Sequence, residues 1–154
     1  MKNAKQQLVL DQTDKKLALF QSLGAVVIPP KGWVNTVRIA LKMSLRQLGN
    51  RMNFSPQNIK QIEEREANGT ISINSLREVA NAMDMQLVYS FISKHESLEQ
   101  MIEKRAKELA TEIVMRTNNT MTLEDQQNSA ARIEKAIAQK TIEIKSEMPK
   151  YLWD

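Results

Sequence analysis

Two short helices joined by a tight turn are predicted within Met43-Ser-Leu-Arg-Gln-Leu-Gly-Asn-Arg-Met-Asn-Phe-Ser-Pro-Gln-Asn-Ile-Lys-Gln-Ile-Glu63. Ser44 is a helix N-cap residue, and Gln47 stands three positions later in the arrangement of a capping box. Asn53 suits the turn because asparagine tolerates the left-handed backbone conformation. Ser55 then caps a second helix, and the proline after it occupies the first helical position, where its missing N–H does no harm.

The flanking sequence predicts more helices and one strand. Helices are expected at 13–23 with Thr13 as its N-cap, and at 33–42, 44–52, 55–65 and 75–83. Residues 85–92 are rich in β-forming side chains and place Leu87, Tyr89 and Phe91 on one face, which predicts a strand. A single strand needs a pairing partner, either residues 26–28 or the same strand of a second subunit, and the latter would form a symmetric dimer.

The C-terminal part is expected to be a helical pair. An apolar stripe predicts a helix over 97–116, the polar residues 117–120 predict a break, and Thr122 with Asp125 is expected to cap a last helix that reaches 148. The expected domains are therefore an N-terminal helix and connector (1–30), a helical domain (31–84), a strand (85–93), and a C-terminal dimerisation or partner-binding region (94–154). The predicted fold class is mostly α.

Composition argues against an enzyme. The 154 residues include no cysteine and one histidine, so disulfides, thiolate nucleophiles and cysteine- or histidine-based metal sites are excluded. We expect no catalytic residue, cofactor or metal. No apolar run is long enough to span a bilayer and no signal-peptide pattern is present, so we expect a cytoplasmic protein without membrane contact.

Positive charge is concentrated in the first part of the chain. Residues 1–62 contain ten Lys or Arg and two Asp, whereas residues 63–154 contain twelve Lys or Arg and sixteen acids. No acid occurs from Lys15 to Ile62. This distribution suits a surface that meets a polyanion, although a solvated basic face without a partner explains it equally well.

The predicted pair of helices has the physical features of a helix-turn-helix, because a helix N-terminus with amide side chains can enter the major groove and read base edges. The quoted sequence resembles the lambda-repressor-like, xenobiotic-response-element type of helix-turn-helix. That resemblance covers about residues 33–83 and implies a five-helix DNA-binding domain. Gly49 and Asn53 depart from the family, which usually has alanine and glycine at these positions.

The resemblance also implies which residues contact DNA. Residues 55–65 would be the recognition helix, and its base-facing or groove-facing side chains would be those of Ser55, Gln57 and Gln61, with Lys60 nearby. Pro56 stands where many relatives have glutamine, so one familiar base contact is missing and the operator cannot be copied from relatives. The residues expected at phosphates are Ser44, Arg46, Gln47, Arg51 and Asn58. Arg38 and Glu63 would form a structural ion pair.

A narrower resemblance covers almost the full chain. The segments 33–44 (WVNTVRIALKMS), 69–83 (GTISINSLREVANAM), 87–89 (LVY) and 121–126 (MTLEDQ) are similar to those of the mobile mystery protein A family. Members are typically encoded beside a Fic-domain protein, an adenylyl-transfer fold, and this implies an antitoxin-like regulator. Thr120 and Glu124 come near the inhibitory motif that restrains Fic proteins, but the carboxylates of Glu124 and Asp125 are better explained as favouring a helix N-terminus. Trp153 either contacts a partner or packs back on the C-terminal helices.

The sequence thus predicts a homodimeric, sequence-specific transcriptional regulator that binds an inverted-repeat operator in double-stranded DNA and represses its own synthesis. It would act as the antitoxin-like partner of a Fic-type toxin. The alternative is an interaction protein that sequesters a partner toxin through its C-terminal helices, with DNA binding secondary.

Overall fold

The computed structural model describes residues 2–123 and 130–154, and these are mostly helical, as the sequence predicts. Their helices are α1 (Lys2–Ala18), α2 (Gly32–Ala40), α3 (Leu45–Met52), α4 (Pro56–Asn68), α5 (Ile73–Ala82), α6 (Leu98–Leu123) and α7 (Ala130–Glu147). Short 3-10 helices lie at Gln21–Ala25 and Lys150–Trp153. None of the described helices is both long and apolar enough to cross a membrane.

The chain divides into two compact units, of which one is Ala25–Ser90. Helices α2 to α5 enclose its core, whose buried side chains are Val34, Leu48, Ile59, Ile62, Val79 and Met83. Two of the helix starts in this unit have the local caps that the sequence predicts. Ser44 and Gln47 form a capping box at the start of α3, and the Ser55 hydroxyl accepts a hydrogen bond from the Asn58 backbone N–H at the start of α4.

The other unit combines residues 2–24 with the described part of Phe91–Asp154. Its core contains the buried side chains of Leu10, Ile102, Ala106, Ala110, Ile144 and Leu152. Asp14 of α1 caps α6, because its carboxylate accepts hydrogen bonds from the backbone N–H groups of Leu98 (2.8 Å) and Glu99 (3.3 Å). On α7, Lys145 lies 3.1 Å from a Glu99 carboxylate oxygen, and this hydrogen bond raises the pKa of the Lys145 ammonium.

The N-terminal helix differs from the prediction. It spans Lys2–Ala18 and not 13–23, and Thr13 lies inside it with its hydroxyl donating to the Val9 carbonyl oxygen at 2.7 Å. A threonine whose hydroxyl bonds to the preceding turn is compatible with a helix interior, which the N-cap assignment overlooked. The Ala25–Ser90 unit contains the four α-helices α2 to α5, so the five-helix domain that the resemblance implies is not confirmed.

The predicted break at 117–120 is also wrong, because α6 continues to Leu123. The Thr117 hydroxyl donates to the Ile113 carbonyl oxygen at 3.0 Å and so satisfies its polar group within the helix. Thr122 therefore lies in α6 and does not begin a new helix. Asp125, its proposed capping partner, lies outside the described residues.

The predicted strand at 85–93 is not confirmed. These residues form neither helix nor strand, and the described part of the chain contains no β-strand. A strand exists only through hydrogen bonds to a neighbour, and residues 26–28 do not pair with this segment. Of the two pairing partners considered for the strand, residues 26–28 are therefore ruled out within this chain.

Gly49 lies in close contact with the turn that follows α3. The Phe54 N–H donates a hydrogen bond to the Gly49 carbonyl oxygen at 2.8 Å. An added Cβ at Gly49 would lie 2.5 Å from the Phe54 carbonyl oxygen, so main-chain atoms already occupy the space that a side chain would need. Alanine, the residue usual at this position in the family that the sequence resembles, does not fit the turn observed in this chain.

We expect Gly49→Ala to lower the free energy of unfolding by about 1–3 kcal/mol, because the turn must shift to admit the methyl group. Urea denaturation followed by circular dichroism measures this change. Gly24→Ala is the matched control, since its added Cβ would meet Ile92 at an ordinary 3.7 Å. Equal stability of the two variants would contradict the tight turn.

Candidate nucleic-acid interface

Helices α3 and α4 are joined by a turn that leaves the first residues of α4 in solvent. Asn53 ends α3 in the left-handed conformation at φ 55°, as its place in the sequence suggests. Pro56 follows the capping residue Ser55 as the first residue of α4. Ser55, Pro56, Gln57 and Asn58 are all exposed. The helix therefore presents a capped N-terminus, with the partial positive charge of the helix dipole, to solvent.

The exposed face of α4 carries amide side chains. Ile59, Ile62 and Glu63 are buried on the opposite side, which turns Gln57 and Gln61 outward one helical turn apart. Lys60 is exposed beside them. Glu64 extends the same exposed face toward the C-terminal end, and the sequence analysis did not single it out. The N-terminal half of the face thus offers hydrogen-bonding amides and a cation without an acid.

Arg38 and Glu63 hold α4 against α2. The Arg38 Nε donates to Glu63 Oε1, and Nη2 donates to Oε2 at 3.2 Å, so the pair is bidentate. Nη1 of the same guanidinium donates to the Met43 carbonyl oxygen at 2.9 Å. Asn35 donates to Glu63 Oε2 at 2.8 Å and completes a network that sequence reasoning found only in part. The pair is nearly buried, so this network fixes the rotation of α4 about its axis.

A second carboxylate of α4, that of Glu66, caps α2. It accepts hydrogen bonds from the backbone N–H groups of Trp33 (2.7 Å) and Val34 (2.9 Å). Lys31 offers no side-chain cap, and Gly32 adopts φ 82°, where its missing Cβ lets the carboxylate approach. Sequence reasoning missed this contact. The signal that could have found it is a helix start without Ser, Thr, Asp or Asn at the cap.

The predicted phosphate-contacting residues at α3 differ in the hydrogen bonds that they make within the protein. Ser44 and Gln47 hydrogen-bond to each other's backbone N–H groups at 3.1 and 2.7 Å, which leaves the hydroxyl hydrogen and the amide nitrogen as donors. Arg46 is exposed and has no hydrogen-bond or ion-pair partner among the described residues. Arg51 donates from Nη1 to the Ala82 carbonyl oxygen at 3.1 Å, so it also fastens the end of α5.

A shallow hollow beside α3 gathers further donors. Its lining consists of Leu41, Lys42, Met43, Gln47, Asn50 and Arg51. Two of these side chains are cationic, two are amides, and none is acidic. Such a lining suits an anion, and Lys42 and Asn50 lie in it although neither is among the predicted phosphate-contacting residues.

The predicted partner-binding residues lie elsewhere. Thr120 is part of α6, and Glu124 lies outside the described residues. Leu152 is 1% exposed in its own unit, and Arg105 holds the main-chain oxygens of Leu152 and Asp154 at 2.7 Å each. The main chain of residues 152–154 therefore packs on α6. The side chain of Trp153 itself remains 55% exposed and is therefore accessible to a partner.

No family model matches the chain, and neither does any curated protein or solved structure. Within residues 2–123 and 130–154, no group of three or more His, Cys, Asp or Glu residues is placed to hold a metal ion. The function must therefore be inferred from the residues and geometry of the surface itself.

We expect Arg38→Met to lower the free energy of unfolding by about 3 kcal/mol, because it leaves the nearly buried Glu63 carboxylate without its counterion. The double variant Arg38→Met/Glu63→Gln should recover part of the loss but not all, since the hydrogen bond to the Met43 carbonyl is absent from both. Chemical denaturation of the wild type, both single variants and the double variant gives the coupling energy. Additive losses would show that the ion pair does not stabilise the unit.

Proposed function

We propose that this chain is a sequence-specific regulator that binds double-stranded DNA through a lambda-repressor-like helix-turn-helix formed by α3 and α4. The observation that carries the proposal is the exposed, capped start of α4. Gln57 and Gln61 project from it one turn apart, with Lys60 beside them and no acid between Lys15 and Ile62. The major groove admits one α-helix, and a glutamine amide can pair with both hydrogen-bonding groups of an adenine edge.

Phosphate contacts come from the side chains around α3. Arg46 is exposed and unengaged by the described residues, and Lys42 and Arg51 line the acid-free hollow next to it. Backbone contacts of this kind position a protein on the duplex without reading its sequence. The Ser44 hydroxyl and the Gln47 amide nitrogen add neutral donors beside these cations. The recognition helix is thus flanked by the charge that a polyanion requires.

The regulator acts as a homodimer in the cytoplasm, on an operator with inverted half-sites about one helical turn apart. It needs no cofactor, metal or catalytic residue for this role. When such a regulator occupies its own promoter it blocks transcription, and in this way it represses its own synthesis. These elements of the proposal come from the residues and from the family resemblance described above.

We further propose, on the narrower resemblance, that the chain is the antitoxin-like partner of a Fic-domain toxin encoded beside it. The exposed side chain of Trp153 is one that could contact the toxin, because aromatic residues are enriched at protein interfaces. Sequestration of the toxin without DNA binding is the competing proposal.

The DNA-binding proposal predicts that the purified chain prefers a duplex from the region upstream of its own gene over a scrambled duplex by about a thousandfold at physiological salt. Affinity should fall steeply with added salt, because phosphate contacts release counterions. Fluorescence anisotropy titration measures both quantities. Equal, weak binding to the two duplexes would contradict the DNA-binding proposal.

Two variants in the same titration separate base reading from phosphate binding. Gln57→Ala should lower the preference for the operator by about tenfold or more, whereas Arg46→Ala should weaken both duplexes alike and reduce the salt slope by about one. Arg46 is a better choice than Arg51, because replacing Arg51 would also remove its hydrogen bond to the Ala82 carbonyl oxygen at the end of α5. Lys104→Ala is the control, because it removes one positive charge from the exposed face of α6. It should change neither the preference for the operator nor the salt slope.

Toxin neutralisation can be tested with the same Arg46→Ala variant in the full chain. If the chain is an antitoxin, co-expression should restore growth of cells that produce the adjacent Fic protein. Arg46→Ala should neutralise as well as the wild type when the toxin is expressed from a separate promoter, because protein binding does not use the DNA-facing surface. Failure of the wild-type chain to restore growth would exclude the antitoxin role.

A further inference from the structure

Residues 85–93 are an uncharged segment with exposed apolar side chains. Met85, Leu87 and Tyr89 alternate with Gln86 and Val88, which is the spacing that places every second side chain on one face of a strand. Tyr89 is 63% exposed and Val88 is 60% exposed. An exposed apolar segment that is not part of a helix can serve as a template for pairing with another strand.

The described chain supplies no strand to pair with this segment. Residues 86–89 form no hydrogen bond with any other described residue, and the apolar residues 26–28 are therefore not bonded to them. The backbone donors and acceptors of residues 86–89 therefore have no hydrogen-bond partner among the described residues. Pairing with another strand would satisfy them and would cover the apolar side chains at the same time.

The charges at the two ends of the segment identify the partner. Asp84 precedes it and Lys94 follows it, each five residues from Tyr89. If two copies pair antiparallel with Tyr89 at the centre, Asp84 of one copy lies opposite Lys94 of the other at both ends. A parallel pair would instead place Asp84 opposite Asp84 and Lys94 opposite Lys94, which is unfavourable. The segment is thus complementary in charge to a second copy of itself in one orientation.

We propose that two copies of this chain pair antiparallel through residues 86–92, with Tyr89 on the two-fold axis and with Asp84 of each copy near Lys94 of the other, just beyond the paired residues. Leu87 then faces Phe91 of the second copy, so the apolar side chains of the two copies form one continuous face. The pairing gives the proposed function its two-fold dimer, and in that respect it rests on the proposed function. The contact itself involves no DNA and can be tested without it.

Cysteine cross-linking tests the register, because the natural chain contains no cysteine. Directly opposed residues of an antiparallel pair have Cα atoms about 4.5–5.5 Å apart, which lies within the range of a disulfide. Tyr89→Cys should therefore form a covalent dimer under mild oxidation. Met85→Cys is the control within the segment, since the two copies of residue 85 would lie roughly 26 Å apart along the pair. Val27→Cys, at an 84% exposed position, controls for chance collisions and should stay monomeric on a reducing-agent-free gel.

Charge reversal tests the orientation. Lys94→Glu places two acids opposite each other at both ends and should raise the dimer dissociation constant by about tenfold, as measured by sedimentation velocity. Adding Asp84→Asn removes the repulsion and should restore part of the affinity; asparagine is chosen because residue 84 has φ 58°. Lys104→Glu makes the same change of charge on α6 and should have no effect.

Three results would overturn the pairing: a wild-type chain that is monomeric at every concentration, equal cross-linking of the three cysteine variants, or a dimer that Lys94→Glu does not weaken. A Tyr89→Cys dimer that forms as expected, in a chain that shows no preference for its upstream duplex, would instead contradict the proposed function and leave the pairing intact.

Discussion

The carboxylate of Glu63 is the contact on which the geometry of the Ala25–Ser90 unit depends. It lies at the buried side of α4 and accepts hydrogen bonds from Arg38 and Asn35 of α2. Through the same guanidinium it is linked to the Met43 carbonyl, just before the cap of α3. One nearly buried charge pair therefore connects α2, the loop before α3, and α4. Apolar packing alone would allow α4 to slide or rotate, because dispersion and the hydrophobic effect have little directionality, whereas a bidentate ion pair has a defined geometry.

Helix starts in this protein are stabilised by carboxylates from other helices as well as by local caps. Glu66 of α4 caps α2, and Asp14 of α1 caps α6, each with two hydrogen bonds to backbone N–H groups. Such contacts link the formation of one helix to the packing of another. They also place a negative charge at the positive end of the helix dipole, which is favourable. In each of the two units, a helix start thus depends on a residue distant in sequence.

Local signals predicted a large part of the fold, and distant contacts account for most of the rest. The starts of α3 and α4 could be predicted because Ser44, Gln47 and Ser55 interact with neighbours in sequence. The caps by Glu66 and Asp14 could not, since their partners are more than thirty residues away and exist only after folding. The extent of α1 and the continuity of α6 were missed because Thr13 and Thr117 bond within the preceding turn, which their residue type does not reveal. On the candidate DNA-binding surface, the family resemblance implied that Gln57 and Gln61 face outward, and both are exposed. The contact of Arg51 with the Ala82 carbonyl had no such signal.

The contact between Gly49 and Phe54 has a consequence for how this surface can change. Main-chain atoms set the distance between α3 and the following turn, so the angle between the two helices does not depend on the side chains exposed on α4. Gln57, Lys60 and Gln61 lie in solvent outside the core. Their identities can therefore vary, in evolution or by design, while the frame that carries them stays the same. A scaffold of this kind separates the choice of ligand from the requirement to fold.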